Sequence, residues 1–168
     1  MVNMKPVILS VLMLAAGLVA FMIFFQSDEA KIKKQFKTLA ETLSLQTGES
    51  KFESGAKARK IAMMLADPCV VNIPTYDITK TISRTDAQTY IMAGRSAYTS
   101  LSVAFHDISI IFPEEGRLAE ATVTVYVKGS ARGGGPLEKN VSEVRFELEA
   151  VEDAWLFTTI NEVVVLEK

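Results

Sequence analysis

Polar and apolar positions divide the chain into three stretches with different periods. The first, Val7 to Phe25, is a run of 19 residues without a charge, relieved only by Ser10 and Gly17. At about 1.5 Å per residue it reaches roughly 28 Å, close to the hydrocarbon thickness of a bilayer. Lys5 and Pro6 precede it, and Gln26-Ser27-Asp28-Glu29 closes it sharply. The run predicts a membrane-spanning helix. Its anchoring side chains are Val7, Ile8, Leu9, Val11, Leu12 and Leu14, then Leu18, Val19, Phe21, Ile23, Phe24 and Phe25. A cleaved signal peptide competes with this reading, but Phe21-Met22-Ile23-Phe24-Phe25 offers no small-x-small cleavage site.

The second stretch has a helical period. Ile32, Phe36, Leu39 and Leu43 recur at spacings of four, three and four, which predicts an amphipathic helix over residues 28–46 ended by Gly48. A second helix is predicted from Phe52 to Leu65, before Asp67-Pro68, where proline cannot continue it. Cys69 to Ile73 reads as a short buried strand and Thr75 to Ile82 as a loop or short strand. Ser83-Arg84-Thr85-Asp86 is a capping box that starts a third helix. Its broad face carries Ala87, Tyr90, Ile91, Gly94, Ala97, Tyr98 and Leu101.

From His106 the period becomes two. Apolar residues alternate through Ile108 to Phe112, Ala121 to Val127 and Val144 to Ala150, and Trp155 to Leu166 reads as a last strand. Turns at Pro113–Gly116, Ser130–Pro136 and Val151–Asp153 make an antiparallel meander. Helices followed by strands give an α+β class. The predicted organisation is a short tail and single transmembrane anchor over residues 1–27, then one α+β domain over residues 28–168.

This order of elements resembles the nuclear-transport-factor-2-like superfamily, the SnoaL-like or cystatin-like cone, over residues 28–168. Its local marks are Ile73-Pro74, Ser83-Arg84-Thr85-Asp86, His106-Asp107-Ile108-Ser109-Ile110 and Val151-Glu152-Asp153-Ala154-Trp155-Leu156-Phe157. Ala154 stands where many relatives have glycine. The resemblance implies about three helices packed on a curved antiparallel sheet. Such cones hold hydrophobic ligands, catalyse isomerase or dehydratase chemistry, or mediate dimerisation without chemistry.

Composition narrows the functions. A net charge of −2 argues against nucleic acid as a partner, because such surfaces carry a large basic excess. One cysteine, Cys69, and one histidine, His106, give neither a disulfide nor a ligand spacing for a metal, and no cofactor pattern is present. Cys69 is expected to be a buried, inert thiol, and His106 a partly exposed residue at a strand start. Tyr90 and Tyr98, read as sheet-facing on the third helix, and Trp155 on the last strand are the candidate pocket-lining residues. Asp77, Asp86 and Arg95 are candidates for a cone mouth, and Asp86 already has a capping role.

No catalytic residue is assigned. The first reading is a membrane-anchored protein-binding or self-associating module, as a homodimer or with a membrane-associated protein. The alternatives are binding of a small apolar molecule or lipid in the cone, and an isomerase, cyclase or dehydratase. The bilayer itself is the partner of residues 7–25. The expected location is a bacterial inner membrane with the domain extracytoplasmic. Lys31, Lys33, Lys34 and Lys37 after the run, against Lys5 before it, point the other way by the positive-inside rule.

Overall fold

The computed structural model describes residues 27–113, 117–134 and 136–163. The apolar run at residues 7–25 lies outside them. Among the described residues no helix is long and apolar enough to cross a membrane. The chain divides into two compact units, residues 1–32 and 33–168, and the second carries the sheet and the candidate site.

The elements are α1 (Asp28–Leu43), α2 (Lys51–Ala62), β1 (Leu65–Ile73), a 3-10 turn (Pro74–Tyr76), β2 (Ile78–Ile82), α3 (Arg84–Ser96), β3 (Tyr98–Ile111), β4 (Leu118–Ala131), β5 (Leu137–Val151) and β6 (Ala154–Val163). The strands form one sheet in the order β2-β1-β6-β5-β4-β3. All neighbours are antiparallel except β1 and β6, which run parallel. The α+β cone of three helices on a curved sheet is thus the observed architecture.

Two helices start on reciprocal caps. Ser50 Oγ accepts the Glu53 N–H at 3.2 Å, while the Glu53 carboxylate accepts the Ser50 N–H at 2.9 Å. Ser83 and Asp86 repeat the arrangement at 3.1 and 3.4 Å, so α3 starts where its sequence predicts.

Helix ends differ from the sequence expectation. α3 stops at Ser96, so Tyr98 and Leu101 lie on β3 and not on the helix. Tyr98-Thr99-Ser100-Leu101-Ser102-Val103 is rich in strand-favouring residues. Its backbone pairs with β4 from Tyr98↔Ala131 onward, and Leu101 bridges to Leu45. α2 covers Lys51–Ala62 instead of reaching Leu65, because Leu65 opens β1 and pairs with Phe157. α1 ends at Leu43, and the strand expected from Cys69 begins at Leu65.

Phe36 of α1 is fully buried and meets three strand rings edge-on: Phe105 at 5.4 Å, Phe146 at 5.0 Å and Phe157 at 5.3 Å between centroids. Edge-to-face packing at these separations matches the ring quadrupoles. Two extra residues bend the sheet around this cluster. On β3 the register slips between His106 and Ser109, with Asp107 at φ 51°. On β6 Thr158 is the extra residue, since Phe157↔Leu148 is followed by Thr159↔Glu147. Each such bulge sharpens local twist and re-aims the side chains beyond it.

Candidate functional site

Between the helices and the concave sheet face lies a cavity of about 520 Å³. Its floor is aromatic and aliphatic, with Phe105, Phe146 and Phe157 from the sheet and Leu39 and Ile61 from the helices. Strand alternation sets the walls. Val103 and Phe105 of β3, Val125 and Val127 of β4, and Ser142 and Val144 of β5 face inward. Towards the other end the lining turns polar, with Tyr76, Tyr98, Glu138 and Asn140. The Asn140 amide donates to the Tyr76 hydroxyl at 3.1 Å, and the Tyr98 hydroxyl donates to Glu138 at 3.2 Å. Burial, together with the neighbouring Glu138 carboxylate, raises the Tyr98 phenol above its ordinary value.

Tyr98 fits because Gly129 faces it. A Cβ on Gly129 would stand 2.7 Å from Tyr98 Cδ1 and 2.9 Å from Cε1. The glycine is required for space, and the ring lies across the strand that a side chain would otherwise occupy.

Two charged groups line the buried part. Arg95 is buried, and each of its three guanidinium nitrogens has a protein partner. Its Nη1 donates to the carbonyls of Thr42 at 2.8 Å, Leu43 at 2.5 Å and Ser44 at 3.2 Å, closing the C-terminus of α1. Its Nη2 pairs with Glu49, and Nε donates to Ser54 Oγ at 3.3 Å. Glu49 also takes the Lys57 ammonium at 2.6 Å. Burial pushes the Glu49 carboxyl up, but the hydrogen bonds and charges of Lys57 and Arg95 outweigh it and hold the carboxyl low. Arg95 therefore builds the wall and has little left for a ligand.

Glu162 is the other. It lies on β6 with 8 % exposure, and one carboxylate oxygen accepts the Thr75 N–H at 3.0 Å. The Thr158 bulge places it: Ile160 and Glu162 line the cavity together with Phe157, where unbroken alternation from Phe157 would face them away.

The remaining sequence candidates fall as follows. Tyr90 and Tyr98 both line the cavity, Tyr90 half-exposed on α3 with the Lys80 ammonium 5.4 Å from its ring centroid. Trp155 is not among the cavity-lining residues; it is buried against Phe112 at 6.0 Å between centroids. His106 is exposed on the outer sheet face, 4.8 Å from the Tyr126 ring, within β3 and not at its start. Asp77 is exposed and caps the 3-10 turn in a left-handed conformation. Cys69 is buried, and desolvation pushes its thiol up to about 11. Among the described residues no group of three His, Cys, Asp or Glu side chains forms a metal site.

No family model matches the chain, and no curated protein matches it. Solved structures do. A Novosphingobium aromaticivorans chain provisionally assigned as scytalone dehydratase superposes with TM-score 0.68 at 14 % identity, covering 83 % of this chain and 85 % of that one. An "ntf2-like protein with a cystatin-like fold" from the same species gives TM-score 0.60 at 15 % identity, over 92 % and 90 % of the two chains. The fold is the nuclear-transport-factor-2-like cone. A Xanthomonas campestris chain provisionally assigned as a calcium/calmodulin dependent protein kinase II association domain shares this cone, with TM-score 0.64, 12 % identity and coverage of 85 % and 91 %. A dehydratase and an association domain in one set of likenesses mean that the cone alone does not decide the chemistry.

Proposed function

We propose that this chain is a binding module whose cavity holds a small apolar molecule, tethered to a membrane by residues 7–25. The observation that carries the reading is the cavity itself. Its volume of about 520 Å³ falls within the roughly 300–1,000 Å³ typical of ligand sites. Most of its lining is apolar, and its polar groups are few and convergent, which is the usual design of such sites. The one histidine lies on the outer face, and Arg95 is engaged by Glu49 and three carbonyls, so neither is placed to work with the inner carboxylate Glu162 as an acid–base pair.

Uptake of N-phenyl-1-naphthylamine by the full-length chain in amphipol, read by fluorescence, tests the cavity. Ile91→Trp, which fills the space from α3, should abolish the signal above the amphipol background while leaving the far-UV spectrum unchanged. Equal fluorescence from both proteins would remove the cavity as the site.

A second reading, self-association, rests on the outer sheet face. Tyr126 and Val141 are cross-strand partners there, and Val141 is 55 % exposed. Val141→Glu should then reduce chemical cross-linking between full-length copies in a membrane. A cross-linked dimer of unchanged yield would set this reading aside.

A further inference from the structure

We infer that the ligand carries a cationic amine head, received by Glu162, on an apolar body that lies against Phe105, Phe146 and Phe157. This deepens the cavity reading and rests on it. Glu162 is more than nine-tenths buried and belongs to the lining. Its only partner among the described residues is the Thr75 N–H, on one oxygen. The other oxygen makes no hydrogen bond or ion pair there. No buried side-chain oxygen among the described residues lacks a partner, so this second oxygen opens onto the cavity, where a positive charge or a strong donor would engage it.

The protein does not supply that charge from the cavity wall. Arg95 is the only lysine or arginine among the lining residues, and Glu49 and the end of α1 consume it. With Arg95 and Glu49 cancelled, the lining retains Glu138 and Glu162, both negative. Aromatic rings act in the same direction. Tyr76, Tyr90 and Tyr98 line the cavity, and ring faces attract ammonium groups. Tyr90 already has the Lys80 ammonium against its ring at 5.4 Å. A carboxylate, three phenol rings and an apolar floor describe a site for an amphiphile with an amine at one end. An anionic head would meet two carboxylates and an arginine already paired with Glu49.

Three probes with one apolar body separate the possibilities: 3-phenylpropylamine, 3-phenylpropanol and 3-phenylpropanoate. Isothermal titration calorimetry with the full-length chain in amphipol should show the amine binding about tenfold tighter than the alcohol, as one charge-assisted hydrogen bond in place of a neutral one implies. The propanoate should bind weakest. Glu162→Gln keeps the shape and should bring amine and alcohol to within about twofold, with alcohol affinity nearly unchanged. Ile91→Trp should abolish all three. If the alcohol binds as tightly as the amine, or Glu162→Gln retains the amine preference, the head assignment falls and the apolar cavity stands. If none of the probes binds, or Ile91→Trp leaves their binding unchanged, the cavity reading fails and this one with it.

Discussion

Arg95→Met offers the most direct measure of how the cavity wall is built. The substitution keeps most of the side-chain volume and removes all the polar contacts. The arginine side chain is 2 % exposed and that of Glu49 5 %, so the loss takes place almost entirely out of water. Three carbonyls at the end of α1 lose their donor, and Glu49 loses one of its two cations. Breaking a buried pair costs about 3–5 kcal/mol. Lys57 remains on Glu49 at 2.6 Å, which favours the lower end, about 3 kcal/mol. For a domain of this size about 4 °C of Tm accompanies each kcal/mol, so Tm should fall by roughly 12 °C. Trp155 is the single tryptophan and is buried, giving a fluorescence reporter for urea and thermal unfolding. Glu49→Gln and the double variant complete a cycle, in which the double should cost less than the sum by about 1–3 kcal/mol. A fall of less than about 4 °C for Arg95→Met, or strict additivity in the cycle, would refute the account of Arg95 as a structural tie.

Three further outcomes are expected. Gly129→Val should destabilise by about 1–3 kcal/mol in urea titrations and weaken probe uptake, because Tyr98 must leave its place; a neutral effect would mean that the ring relocates freely. The Glu49 carboxyl is held below its usual 4.5, so its contribution is fully present above that pH and is lost as pH falls through the lower folded-state value. Stability measured across that acid range should therefore decline more steeply in wild type than in Glu49→Gln; parallel curves would exclude the effect. Cys69, buried and with its thiol pushed up to about 11, should resist Ellman's reagent at pH 8 until the protein is unfolded. Immediate reaction of the native protein would contradict its burial.

Local signals were well represented in the sequence. The Ser83 cap and the amphipathic stripe of α1 appear where their patterns place them, and β4 and β5 contain the period-two runs read for them, while β3 begins well before its run, at Tyr98. The Ser50-Lys51-Phe52-Glu53 box is an equally local start signal for α2, and it sets the helix start at Lys51, one residue before the expected Phe52. Tyr98 was misplaced because small and apolar residues on α3 continue a helical face straight into β3; strand pairing with β4 decides the boundary, and that is a tertiary effect. Arg95 looked like a residue for the cone mouth, and only the fold brings the end of α1 and Glu49 to it. Glu162 was hidden for a different reason. Counting by twos from Phe157 sends it to solvent, and nothing local announces the extra residue at Thr158 that reverses the count.

The parallel pairing of β1 with β6 has a consequence for biosynthesis. The last strand in chain order among the described residues, β6, is not at the sheet's edge; it lies between β1 and β5, in the interior of the strand order. Until residues 154–163 are made, the β1–β2 hairpin and the β3–β5 meander are separate pieces with no seam between them. The nascent domain therefore cannot complete its sheet progressively from the N-terminus. It must wait with two unjoined edges exposed, a state prone to wrong pairing and open to chaperones. A chain halted short of Ala154 lacks the piece that joins the two halves, so the sheet closes only once β6 has been made.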